Sequence, residues 1–142
     1  RGTDGRAYPW GNNGFADDTL VANIADVTAG RANPSWATAN RYEDGFVETA
    51  PVESFPEGQS PFGAFDMVGN VWEWVSDWYG EFYYEHAPWK NRQGPNDGEF
   101  KVVRGGSWFN YPYLNRVSYR GWNDPEARHV YTGIRCAYSE AP

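Results

Sequence analysis

The sequence predicts a loop-rich single domain held on short strands, with no long Leu-faced helix. Three observations carry that expectation. Leu and Ile supply four of 142 residues, and Leu, Ile, Val and Phe together 23, while eight Trp and ten Tyr stand in for the missing aliphatics. Each such ring can bury on the order of 150–250 Å² and carries a polar tip that needs a partner, so the core should be dense in hydrogen bonds. Without those rings, the low aliphatic share and net charge of -7 would point to disorder. Second, the stretch from Val71 to Tyr79 alternates, with Trp72, Trp74, Ser76 and Trp78 on one side and Val71, Glu73, Val75 and Asp77 on the other. Third, turn-forming residues recur too often for long elements. A chain of this length suits one domain.

Taken in order, Tyr8 to Gly14 reads as consecutive turns pinned by a buried aromatic pair, Tyr8 and Trp10. An apolar run, Leu20 to Val27, follows with Asn23 inside it. Ala29 to Tyr42 is small and polar and reads as loop, with Asn33-Pro34 as a breaker, and Glu43 to Phe46 reads as a turn. Ala50 to Pro56 is extended, because each proline biases its predecessor toward β or polyproline conformations. After the alternating stretch, further short strands are expected at Lys101–Arg104, Arg116–Gly121 and Gly133–Tyr138. Tryptophans on one face and acids on the other suggest a first strand whose acids serve a site.

The charge balance narrows the partners. Nineteen acids against 12 bases argue against a nucleic-acid backbone, which calls for a basic surface, and suit a cation binder better. No run of 18 apolar residues exists to span a membrane. The single cysteine, Cys136, excludes an intrachain disulfide and any site needing two thiolates from this chain.

Two segments carry the most information: Phe65 to Trp74, with two acids, a Gly-Asn turn and two indoles in ten residues, and Arg104-Gly105-Gly106-Ser107-Trp108. Together with Tyr8-Pro9-Trp10-Gly11-Asn12, Ala22-Asn23-Ile24, Glu43-Asp44-Gly45-Phe46, Ala50-Pro51-Val52, Phe55-Pro56 and Gly133-Ile134-Arg135-Cys136-Ala137, they resemble the formylglycine-generating enzyme, or sulfatase-modifying factor, family in order along the chain. The resemblance implies an α+β fold with a high irregular fraction, related to C-type lectin-like domains: short twisted strands and few helices. Because family domains begin roughly a hundred residues earlier, residues 1–142 are expected to be either a single minimal domain or the C-terminal half of one, a separate chain then being a candidate partner that supplies the N-terminal half.

The resemblance also implies two calcium sites. One would use the side chains of Asn23 and Asp44 with the carbonyls of Ile24 and Phe46; the other the side chains of Asp66 and Glu73 with the carbonyls of Gly69 and Val71. Calcium takes six to eight hard oxygens, mixing carboxylates, amides and carbonyls, which acidic loops supply. The packing alternative is that Asp66 caps a turn, Glu73 pairs with an arginine, and Asn23 and Asp44 merely form turns. Such calcium would be structural.

In the family's enzymes, cysteines three and eight residues after the Gly-Gly-Ser serine bind copper(I); here Asn110 and Asn115 hold those positions. Copper(I) is soft and prefers sulfur, so no copper and no formylglycine-generating oxidase activity are expected. A two-His, one-carboxylate iron site, as in other redox branches, would need His86 and His129 to converge. The alternative to a non-catalytic module is an oxidoreductase of the family whose missing ligands come from a partner chain or N-terminal half.

A surface remains. Ser107, Phe109, Asn110, Tyr111, Tyr113, Asn115, Trp122, His129 and Tyr131 form the expected ligand-binding set, since Tyr and Trp give contact area at low entropy cost and Asn gives adaptable hydrogen bonds. Trp108 and Trp122 are expected in the core. Related ligand-binding proteins diversified by retroelements vary after a Gly-Gly-Ser-Trp segment of this spacing. The ligand is read as a protein or small molecule, with no nucleic acid and no membrane span, and the calcium reading leans toward an extracytoplasmic setting.

Overall fold

The computed structural model describes residues 4–15, 18–90 and 92–137. Its centre is a four-stranded mixed sheet in the order β3-β2-β1-β4. Strand β1 spans Trp72–Trp78 and β2 Lys101–Arg104, antiparallel, while β3, Gly121–Asn123, pairs antiparallel with β2 along the sheet edge. Strand β4 is only Thr132–Gly133 and runs parallel to β1. The expected strand at Lys101–Arg104 therefore stands as read, and the alternating stretch differs by one residue at each end.

Alternation along β1 is interrupted. Glu73 and Trp74 face Arg104 and Val103, but the next pair is Trp78 with Lys101, so four residues of β1 cover two of β2 and the strand bulges between Trp74 and Trp78. Trp72 is buried, whereas Trp74 and Trp78 are half-buried. The exposed face of the Trp78 indole is covered by the Lys101 ammonium, 3.8 Å from the ring centroid.

Three expectations are corrected here. The segment Arg116–Arg120 is not a strand, and only Gly121 of the expected Arg116–Gly121 joins β3. The Arg104 guanidinium takes the carbonyls of Val117, Ser118 and Tyr119, so these groups are satisfied without a ladder partner. The expected strand Gly133–Tyr138 contracts to β4, with Ile134 to Ala137 exposed and outside the sheet and Tyr138 outside the described residues. Finally, the segment read as loop from Ala29 begins inside a helix, α1, Val27–Ala32. Asp26 caps it, Oδ1 accepting from the Ala29 N–H at 3.0 Å, and Asn33-Pro34 ends it. A second short helix, α2, spans Tyr83–His86, and 3₁₀ turns occupy Pro56–Gly58 and Pro112–Asn115.

The core lies largely in the loops. Val21, Ile24 and Tyr42 are buried together, with Trp10, Phe15 and Ala39 packed on them. Tyr8 and Trp10 stack at 5.0 Å with rings nearly parallel, and Phe15 meets both edge-on, which is the aromatic pin expected of the first turns. Lacking a ladder, the buried Val21–Ile24 backbone is satisfied by side chains. The Tyr42 hydroxyl accepts from the Val21 and Ala22 N–H groups and donates to the Ala22 carbonyl, and Asp44 accepts from Ile24. No helix among the described residues is long and apolar enough to cross a membrane.

Candidate functional site

The first calcium candidate forms where the segment leading into α1 meets the turn at Asp44–Phe46. Asn23 and Asp44 are buried, and so is Asp26, three residues after Asn23. Asp44 Oδ2 accepts from the Ile24 N–H at 2.9 Å and Oδ1 from Phe46 at 2.8 Å, while the Asp44 N–H donates to Asp26 Oδ2. Two acids thus sit side by side out of water. Burial pushes the Asp44 carboxyl up to about 7 against the pull of the Phe46 and Ile24 amides, and the neighbouring Asp26 charge adds to the rise. Three oxygens here are left over. Asn23 Nδ2 donates to the Glu48 carbonyl at 2.7 Å while its Oδ1 is buried with no hydrogen-bond partner, and no hydrogen bond between described residues ends on the Ile24 or Phe46 carbonyl. Two buried acids beside an orphaned amide oxygen and two carbonyls free of protein hydrogen bonds among the described residues form a hard-oxygen donor set, and it fits a divalent cation. Asp26 is the residue sequence reasoning missed; its only local signal was an Asp a few residues ahead of the Asn33-Pro34 breaker, and the β-branched Val27 and Thr28 and Gly30 that follow are poor helix formers and hid the N-cap.

The second candidate lines a cavity of about 420 Å³ that includes Asp66, Gly69, Val71 and Glu73. Its loop is held by left-handed backbone at Asp66, Gly69 and Asn70, with φ of 52°, 79° and 60°. Gly69 is required there, since a Cβ would lie 2.3 Å from the Asn23 carbonyl oxygen, the same oxygen that accepts from the Asn70 N–H at 2.9 Å. That bond ties the two candidate sites together. Here, however, a cation is already in place: Arg135 donates through Nε to Glu73 Oε1 at 2.8 Å and through Nη2 to the carbonyls of Phe65 and Asp66 at 3.1 Å. Asp66 Oδ2 accepts from the Glu53 N–H at 2.8 Å. The packing alternative weighed for Asp66 and Glu73 describes these contacts, so this donor set fits a metal less well than the first.

Among the described residues no three His, Cys, Asp or Glu side chains gather as a metal site, so exposed His86 and His129 do not assemble an iron triad. At the positions of the family's copper cysteines the amides are knitted into the chain. Ser107 Oγ donates to Asn110 Oδ1 at 2.7 Å, and Asn115 Nδ2 donates to the carbonyls of Asn110 and Tyr111 at 3.2 and 3.0 Å. Cys136, the one cysteine, is exposed beyond β4.

The expected ligand surface divides. Ser107 and Asn115 are wholly buried, which removes both side chains from any outer surface: the turn after Gly106 folds inward and Asn115 fills the space beside that glycine. Phe109, Asn110, Trp122 and Tyr131 line one cleft of about 330 Å³ together with Trp72, Tyr119 and Asn123. Trp122, expected in the core, is 51% exposed because β3 is an edge strand, whereas Trp108 is buried as expected. His129 stacks on Tyr131 at 4.9 Å, and Tyr131 on Phe109 at 5.7 Å, so His129 backs the cleft wall. Tyr111 lies apart, lining a cavity with Tyr8, Phe15 and Arg41, next to Tyr113.

A small mixed sheet, short helices and irregular connections that carry both core and site define an α+β domain of the C-type lectin-like class. The chain belongs to the sulfatase-modifying factor family: the family model described as "Sulfatase-modifying factor enzyme 1-like domain" matches residues 1–140. It is 35% identical to a mouse formylglycine-generating enzyme over 99% of its length and 38% identical to that of Streptomyces coelicolor over 96%. It is also 39% identical to a hercynine oxygenase of Mycolicibacterium smegmatis over 77% of the chain. The chain spans 36% and 41% of the lengths of the mouse and Streptomyces relatives. Among solved structures, PvdO from Pseudomonas aeruginosa superposes with a TM-score of 0.58 at 25% identity, covering 78% of this chain and 50% of that one. Treponema denticola variable protein 1 does so with a TM-score of 0.54 at 27% identity, covering 75% of this chain and 36% of that one.

Proposed function

We propose that this chain is a calcium-braced, non-catalytic binding module of the sulfatase-modifying factor family, its ligand seated in the cleft between Phe109, Asn110, Trp122 and Tyr131. The observation that carries the reading is the pair Asn110 and Asn115. Both stand where copper chemistry needs thiolates, and Asn115 is buried with its Nδ2 committed to backbone carbonyls, so neither supports a soft metal. Calcium is assigned first to Asn23 and Asp44 with the Ile24 and Phe46 carbonyls, and second to the Asp66 and Glu73 loop, where Arg135 competes for Glu73. In the first site the ion would offset the buried negative charge and take up the orphaned Asn23 oxygen.

Metal analysis of the purified chain, paired with thermal unfolding, tests this. The expected result is calcium without stoichiometric copper or iron, and a melting temperature that falls on chelation, since a ligand bound only to the native state at 100 times its Kd contributes about 2.7 kcal/mol. Stoichiometric copper or iron would overturn the non-catalytic reading in favour of an oxidoreductase completed by a partner chain. The family's named enzymes and the chain's coverage of about two fifths of their length make that the reading to exclude. Unchanged unfolding on chelation would remove calcium.

A further inference from the structure

We infer, resting on the binding-module reading, that the cleft takes a neutral, polyhydroxylated ligand: a sugar residue of a glycan. The argument starts from charge. In a chain with 22% charged residues and a net charge of -7, the ten residues lining this cleft are Trp, Tyr, Phe, Leu, Val, Gly and Asn, and none is charged. Among the described residues no cation lines the cleft to hold a phosphate or carboxylate, and no acid to hold an amine, so an ionic ligand would lose its hydration there without compensation. Neutral ligands keep no such demand.

Polar groups then separate a sugar from a lipid or a bare hydrocarbon. Asn110 Oδ1 is held by the Ser107 hydroxyl, which fixes the amide and turns its two Nδ2 donors free. Among the described residues the Asn123 side-chain amide, the Tyr119 and Tyr131 hydroxyls and the Trp122 indole N–H make no hydrogen bond, Asn123 meeting β2 through its register with Lys101. The Asn110 and Asn123 amides and the Tyr119 and Tyr131 hydroxyls are not buried without a partner, and Trp122 is half exposed. Donors and acceptors of both kinds, spaced around an apolar floor, match a ring of hydroxyls that each give and accept one bond.

The walls supply the rest. An aromatic face packs against the flat C–H face of a sugar ring, and that contact is strongest when the wall does not have to be ordered on binding. Trp122 is backed by Phe100 at 4.4 Å, and Phe109 is held between Tyr131 and Trp36 at 5.7 and 5.2 Å. Trp72 and Gly121 close the floor, where a Cβ on Gly121 would touch the Trp72 ring at 3.3 Å.

The test is a titration of the isotopically labelled chain with cellotriose, maltotriose and N,N′-diacetylchitobiose, beside trigalacturonate as the charged counterpart and a neutral Gly-Ser-Tyr peptide. At least one neutral saccharide is expected to move the Trp122 indole and the Asn110 and Asn123 amide resonances. Its affinity should fall about tenfold or more in Trp122→Ala and in Asn123→Ala and recover in part in Trp122→Phe, while trigalacturonate binds at least about tenfold more weakly. Because Trp122 and Asn123 lie on an edge strand, unchanged spectra elsewhere report that the variants fold. No shift by any neutral saccharide up to about 10 mM, equal binding of trigalacturonate, or affinity indifferent to Trp122→Ala would overturn the sugar assignment. Shifts by the peptide alone would overturn it too while leaving the binding module standing, whereas a stoichiometric redox metal would remove the module itself.

Discussion

The backbone N–H of Asp44 donates to the Asp26 carboxylate, so two buried acids are locked together through one peptide group. The same Asp26 caps α1 through the Ala29 amide, which couples the helix start to the candidate calcium site. Helix, turn and site are one construction.

Asp44 predicts how the metal-free chain responds to pH. Its carboxyl ordinarily titrates near 3.8 and is pushed to about 7 by burial, so the folded state holds a proton that the unfolded chain has released. Stability of the chelated protein is expected to fall as pH rises from about 4 to about 7, by on the order of 1.4 kcal/mol per unit from this group, and to level off above. Saturating calcium should flatten or invert that slope, because the ion favours the carboxylate. Thermal melts of wild type and Asp44→Asn across this range, with and without calcium, read the effect; a metal-free wild type that gains stability from pH 4 to 7 in parallel with Asp44→Asn would contradict it.

Tyr42 stands in for a β-ladder. Tyr42→Phe leaves the buried Val21 and Ala22 N–H groups and the Ala22 carbonyl without their shared hydroxyl, at 2.9, 3.0 and 2.6 Å in the native chain. A loss of about 2–4 kcal/mol in urea unfolding is expected, far more than removal of an exposed hydroxyl would give.

Gly106→Ala should be among the most damaging single-methyl changes. The residue has φ of 78°, and a Cβ would sit 2.0 Å from Asn115 Oδ1. Overpacking and left-handed strain together predict a cost of roughly 2–5 kcal/mol, read by denaturant midpoint. Adding Asn115→Ala to this variant should recover the packing part and leave the backbone part.

Arg135 braces the loop of the second site. Arg135→Leu removes the bonds to Glu73 and to the Phe65 and Asp66 carbonyls, and amide exchange at Gly69 and Asn70 is expected to quicken. Because the guanidinium is partly exposed, the stability change is expected to stay near 1 kcal/mol. If Arg135 displaces calcium from this loop, the same variant should bind an additional calcium ion, which metal analysis counts.

Much of this chain could be read before folding it. The motif order named the family, Lys101–Arg104 and the tryptophan strand followed from β-forming and alternating residues, and the Tyr8–Trp10 pin followed from turn chemistry. Sequence also determined that this chain brings a single thiol, Cys136, so no fold of these residues alone can assemble a copper-binding pair of thiolates. Tertiary structure decided what each remaining side chain faces. Asn115 went inward because Gly106 leaves room for its amide, Trp122 outward because β3 lies at the sheet edge, and the expected strand Arg116–Gly121 kept only Gly121 because Arg104 takes the Val117, Ser118 and Tyr119 carbonyls instead. Asp26 joined Asp44, and Arg135 reached Glu73, across 18 and 62 residues. Local pattern reports propensity and turn chemistry over a few neighbours. Burial and the pairing of charges depend on which distant segments meet, and only the folded chain sets that.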